Sequence, residues 1–119
     1  MKKIYYLSSC STCQEIIKEN KIDEINFELQ DIKTNKITGE QLDEMKALAG
    51  SYEALFSRRA IKYKEMELKN KSLHEEDYRD LILQEYTFLK RPVIIIGKKI
   101  FVGSEKKNRD ALHAAILSL

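Results

Sequence analysis

Two cysteines separated by two residues, Cys10-Ser11-Thr12-Cys13, are the side chains of this sequence best suited to covalent chemistry. The thiolate is the reactive form of cysteine, and a second thiol three positions on can attack a mixed disulfide and release the product. The segment before the pair, Lys3 to Leu7, is β-branched and aromatic and reads as a strand ending at Ser8-Ser9. Ser11 or Thr12 can cap a helix whose apolar side is Ile16 and Ile17, running to about Lys21. Cys10 then faces the unpaired N–H groups and the positive dipole end of that helix, which favour thiolate over thiol. Half of a zinc site is the competing reading, but it needs two more ligands, and His74 and His113 stand isolated on predicted helices, as surface histidines would. A redox dithiol is therefore expected, with Cys10 as nucleophile and Cys13 as resolving thiol.

Arginine is the second chemically informative residue type. Its planar, permanently charged fork suits a tetrahedral oxyanion or a carboxylate and lowers the pKa of a nearby thiol. Arg58, Arg59 and Arg91 are the candidates, and Arg91 precedes Pro92, the one proline of the chain, at the entrance of an apolar strand.

The elements around these residues alternate. Ile25 to Leu29 reads as a second strand with Asp31 at its exit, which completes a βαβ unit with parallel strands. Between about residues 36 and 89 no strand is expected. Thr38-Gly39-Glu40-Gln41 opens a helix that Gly50 stops, Tyr52, Leu55 and Phe56 open a shorter one, and Ser72 with Glu75 forms a capping-box pattern for another. Val93 to Ile96, a turn at Gly97-Lys98-Lys99, and Ile100 to Val102 predict a hairpin. A final helix from Glu105 carries Ala111, Leu112, Ala115, Ile116 and Leu119 at core spacing.

With 119 residues, 43% hydrophobic and 34% charged, the chain has the size and composition of one folded domain. A net charge of +2 gives no argument for a nucleic-acid or membrane surface. The longest apolar run is strand-sized, and the start is too short in apolar residues for a signal peptide, so a cytoplasmic protein is expected. There a cysteine pair is more often transient and catalytic than a structural staple.

Cys10 to Cys13, Leu55-Phe56-Ser57-Arg58-Arg59 with Tyr63, and Leu89 to Ile95 through Val102-Gly103 resemble the family of glutaredoxin-coupled arsenate reductases and Spx regulators. The resemblance spans essentially the whole chain. It implies a thioredoxin-like three-layer α/β fold with a four-stranded mixed sheet (residues 1–35 and 90–119) and a helical insertion (36–89). It also implies that Cys10 is the catalytic cysteine, that Arg59 and Arg91 bind the anionic substrate, and that Pro92 is a cis proline facing Cys10. No bound cofactor or metal is expected; an external thiol reductant (glutathione with glutaredoxin, or thioredoxin) would close the cycle. Two departures point to the Spx-like and related reductase branches: Gly103 stands where classical members have a further arginine, and Cys13 makes a pair where they usually have one cysteine. Two function classes follow. One is a thiol oxidoreductase acting on an oxyanion or disulfide. The other is a redox-sensing regulator whose partner is the RNA polymerase α subunit, without direct contact to nucleic acid.

Overall fold

The computed structural model describes residues 1–119. In chain order its elements are β1 (Lys2–Tyr6), α1 (Ser11–Glu19), β2 (Glu28–Asp31), α2 (Gly39–Ala49), α3 (Ile61–Glu65), α4 (Glu75–Gln84), β3 (Val93–Ile96), β4 (Lys99–Val102) and α5 (Lys106–Leu117), with single 3₁₀ turns between some of them. The chain divides into two compact units, Met1–Asn35 with Arg91–Leu119, and Lys36–Lys90. No helix is long and apolar enough to cross a membrane.

The first unit is a mixed four-stranded sheet of order β2-β1-β3-β4. β1 runs parallel to β2 and antiparallel to β3, and β3 runs antiparallel to β4. The α1 crossover permits the parallel pair, since a tight hairpin cannot join parallel strands. One sheet face presents Ile4, Ile94 and Phe101 to Ile16 and Ile17 of α1 and Leu112 of α5, which together form a buried cluster. Full burial of each such side chain stabilises the fold by about 1.5–3 kcal/mol. The opposite face carries Tyr5, Val93 and Ile95, which are also buried. The β3–β4 hairpin turns through Gly97 and Lys98, with Ile96 opposite Lys99. Gly97 has φ +61°, the positive value required at the first central residue of a type II′ turn.

The second strand lies three residues later than its hydrophobic pattern predicts. Lys21 and Asn26 both have positive φ, 53° and 65°, so the chain is still turning at Asn26 and cannot pair before it. Phe27 enters the core from this turn, and in β2 proper Gln30 is buried while Leu29 is exposed. The final helix also buries less than its spacing suggests. Leu112 is buried, Ala115 and Ile116 are partly covered, and Ala111 and Leu119 are exposed. Polar ties supplement its packing: Arg109 donates to Glu19 at 2.9 Å, and His113 Nδ1 meets Asn20 Oδ1 at 2.9 Å.

The second unit contains α2 to α4 and no strand, only an isolated bridge between Phe56 and Leu89. Thr38 caps α2 with a reciprocal pair: its hydroxyl accepts from Gln41 N–H at 3.0 Å, and Gln41 Oε1 accepts from Thr38 N–H at 3.1 Å. Gly50, φ +99°, ends the helix. The α4 start falls two residues beyond the predicted box, because Glu75 is engaged elsewhere and accepts from Tyr52 N–H and Glu53 N–H at 2.7 and 3.1 Å. His74 is the N-cap instead, its N–H donating to Asp77 at 2.8 Å. The unit's core is aromatic: the fully buried Phe56 ring stacks on Phe88 at 5.0 Å and meets Tyr78 edge-on at 4.9 Å.

Candidate active site

The junction between β1 and α1 is built from a tight turn. Cys10 N–H donates to Leu7 C=O at 2.9 Å, closing a β-turn with Ser8 and Ser9 at its centre. The turn delivers Cys10, in extended conformation (φ −88°, ψ 112°), to the N-cap of α1. The cap is thus the cysteine itself rather than Ser11 or Thr12, which already lie inside the helix or at its first turn. Cys10 C=O accepts the first helical bond, from Gln14 N–H at 3.1 Å.

The two sulfurs sit in opposite environments. Burial alone would push the Cys10 thiol up, but the N–H groups of Cys13 and Thr12, the Cys13 thiol and the Arg91 charge together outweigh it and hold its pKa below the ordinary value. Cys13 is fully buried, and burial pushes its thiol up to about 12, helped by the negative sulfur of Cys10 beside it. Both cysteines are free thiols. Each sulfur thus biases the other: the Cys13 thiol helps hold Cys10 down, and Cys10 helps push Cys13 up.

Arg91 is the charged side chain that reaches both sulfurs electrostatically. The Arg91–Pro92 peptide is cis, and Pro92 is buried. Pro92 C=O accepts from Gly103 N–H at 2.9 Å, and Asn108 Nδ2 of α5 donates to Gly103 C=O at 2.8 Å, so the exit of β4 is tied to the proline. Gly103 has φ +89° and no heavy atom within 4 Å of the place a Cβ would take. An arginine there would have room for its Cβ but a strained backbone.

Cys10, Cys13, Arg91 and Pro92 all belong to the sheet unit. The other two candidate arginines, Arg58 and Arg59, belong to the helical unit. Arg58 donates to Glu53 at 2.8 Å and to the Tyr78 hydroxyl at 3.0 Å. Arg59 is exposed, with its backbone N–H on Ser57 Oγ at 3.3 Å. No three His, Cys, Asp or Glu side chains are grouped as metal ligands.

The sequence pattern of the ArsC family matches residues 5–112, which include every one of these residues. The chain belongs to the ArsC family. Among solved structures, the protein YFFB superposes with a TM-score of 0.79 at 24% identity, covering 98% of this chain and 99% of its own. An ArsC family related protein from Bacteroides fragilis gives 0.78 at 24% identity over 93% and 96% of the two chains. An arsenate reductase from Vibrio cholerae gives 0.77 at 16% identity over 93% and 94%. No curated protein matches the chain. These structures share the thioredoxin-like α/β fold, so the ArsC chain is a thioredoxin-like domain in its mixed sheet.

Sequence reasoning passed over two residues next to this turn. Gln14 Nε2 donates to Ser8 C=O at 3.1 Å, and Asp31, opposite Tyr6 at the end of β2, has its carboxyl held below the ordinary value, chiefly by Ser8. A usable signal existed for Asp31: an acidic residue at the carboxyl end of the strand parallel to β1 stands beside whatever follows β1.

Proposed function

We propose that the protein is a thiol oxidoreductase in which the Cys10 thiolate attacks a disulfide or an oxyanion and Cys13 resolves the adduct. The supporting observation is the inequality of the two thiols at one helix N-terminus. Cys10 is partly exposed with its thiolate favoured, and Cys13 is buried with its thiol pushed up and held protonated. With a disulfide substrate, Cys10 forms a new S–S bond and expels one substrate sulfur as thiolate. Cys13 then loses its proton, attacks the Cys10 sulfur and expels the second. The product is a Cys10–Cys13 disulfide, which an external dithiol or two thiols (glutathione with glutaredoxin, or thioredoxin) reduce. In this reading Arg91 holds the anionic group of the substrate beside Cys10, with Pro92 shaping the same wall and Arg59 as a second anion contact.

The direct test is turnover with arsenate and with small disulfides, each supplied with glutathione–glutaredoxin and with thioredoxin. Consumption of either substrate that stops in Cys10→Ser supports the reading. No turnover with any pair would overturn it and leave the redox-sensing regulator, tested by binding to the RNA polymerase α subunit. Two further outcomes are expected. Mild peroxide should remove two hydrogens from the intact mass without unfolding, whereas intermolecular dimers or overoxidised Cys10 would deny Cys13 its role. Arg91→Ala should raise the Cys10 pKa and weaken oxyanion protection against alkylation. Arg91→Lys should restore the pKa better than the protection, because lysine keeps the charge and loses the fork.

A further inference from the structure

We propose that Glu75 is a positioning residue for Arg59, acting from the start of α4 to fix the turn that leads into Arg58-Arg59. The proposal rests on the oxidoreductase reading for its consequence, an anionic substrate held by Arg59; the geometry itself lies within Lys36–Lys90. A 3₁₀ turn over Glu53–Leu55 precedes the arginines. It is closed by Leu55 N–H on Tyr52 C=O at 3.0 Å and by Phe56 N–H on Glu53 C=O at 3.1 Å. The leading amides of such a turn have no partner inside it. Glu75 takes two of them, accepting from Tyr52 N–H at 2.7 Å through one oxygen and from Glu53 N–H at 3.1 Å through the other. Ser51 Oγ takes the third, from Ala54 N–H at 3.0 Å.

The same helix holds Arg58. Tyr78, three residues beyond Glu75 and so on the same side of α4, accepts from Arg58 Nη2 at 3.0 Å. The Glu53 carboxylate accepts from that nitrogen at 2.8 Å. Beyond the turn, Ser57 N–H donates to Phe88 C=O at 2.7 Å and Lys90 N–H to Leu55 C=O at 2.8 Å. Arg59 N–H then donates to Ser57 Oγ at 3.3 Å. Arg58 is engaged in these ties, whereas the exposed Arg59 guanidinium enters none of them. An exposed cation on a turn binds an anion well only where its backbone is already ordered, because ordering it on binding costs affinity. Bonds from amides to a carboxylate are the stronger kind, and one carboxylate here holds two.

Limited trypsin digestion of the intact protein, followed by mass, reads the order of the segment at the Arg59–Ala60 bond. Glu75→Ala is expected to speed cleavage there about fivefold, the factor of one net hydrogen bond. The exposed Lys33–Thr34 bond of the sheet unit should keep its parent rate. Glu75→Gln, which keeps one acceptor oxygen, should fall between, and it decides the matter if Glu75→Ala does not fold. The second readout is the arsenate concentration that half-protects Cys10 from alkylation. In Glu75→Ala it should rise about threefold or more, with the rate in the absence of arsenate unchanged, and it should rise no further when Arg59→Ala is already present. Unchanged cleavage at Arg59 in Glu75→Ala, or an equal gain at Lys33, overturns the positioning role. So does a loss of protection that simply adds to that of Arg59→Ala. If Arg59→Ala itself leaves protection unaltered, the anion contact in the oxidoreductase reading fails, while the cleavage rates still decide whether Glu75 orders the segment.

Discussion

Cys10→Ser is expected to lose the fast alkylation phase of the protein almost entirely, and Cys13→Ser to retain it. The magnitude follows from the two thiols. With Cys13 at about 12, on the order of one thiol in 10⁵ is ionised at pH 7. Cys10 lies below its ordinary value of 9.0, so at least about one in a hundred is ionised. A thousandfold difference in thiolate is partly offset because the more basic sulfur is the stronger nucleophile, with a Brønsted slope of about 0.4–0.5. Cys10 should still alkylate about fiftyfold faster or more, and the complete burial of Cys13 widens the gap. Removing Cys10 takes away its charge and its acceptor sulfur, both of which raise Cys13, but burial, the larger cause, remains. Cys13 should therefore stay slow in Cys10→Ser. The rate of Cys10 should rise with pH and level off earlier than that of a free cysteine. A Cys13 that reacts faster than Cys10 in the paired single variants would reverse the roles.

Phe56→Ala is expected to produce the largest loss of stability among single substitutions in the helical unit. The ring is fully buried and contacts Phe88, Tyr78 and, at 6.0 Å, Tyr63. Truncating a buried phenylalanine leaves a cavity and costs about 3–5 kcal/mol. Tyr63→Ala, which removes a half-buried ring from the rim of the same cluster, should cost much less. Denaturant unfolding of the two variants provides the comparison. A loss below about 1 kcal/mol in Phe56→Ala would mean that the cluster closes over the gap.

Where one local signal dominated, the sequence was a good guide. The Thr38–Gln41 box, the Gly50 stop and the apolar run from Val93 each carry their own geometric reason, and each marks a boundary of an observed element. Where two signals competed, it was not. Ile25 to Leu29 alternates like a strand, yet the turn at Asn26 delays pairing to Glu28. Glu75 fits a capping box by spacing, but two backbone donors elsewhere in the chain claim its carboxylate. The dithiol motif identified Cys10 and Cys13 as a pair without showing how unequal they are. That inequality comes from depth: one turn of helix separates a partly exposed N-cap from a residue with no solvent contact. Arg91 beside the pair depends on a strand that enters the sheet next to β1 from the far end of the sequence. Gln14 was invisible because its partner is the backbone carbonyl of a serine, not another conspicuous residue.

The division of the chain also has a consequence for its synthesis. The sheet unit is discontinuous, and its central pairing joins Ile4 to Ile94. On the ribosome, β1, β2 and both cysteines emerge early, while the partner of β1 on its other side emerges only after the whole helical segment. Until Val93 to Ile96 leave the exit tunnel, β1 has an open edge, and α1, which carries Cys13, lacks Ile94 of the cluster it packs into. The helical unit is continuous and has every residue it needs before then. A nascent chain arrested before Val93 should therefore have two thiols of nearly equal reactivity. The distinction between nucleophile and resolving thiol is acquired late, when the last third of the chain closes the sheet.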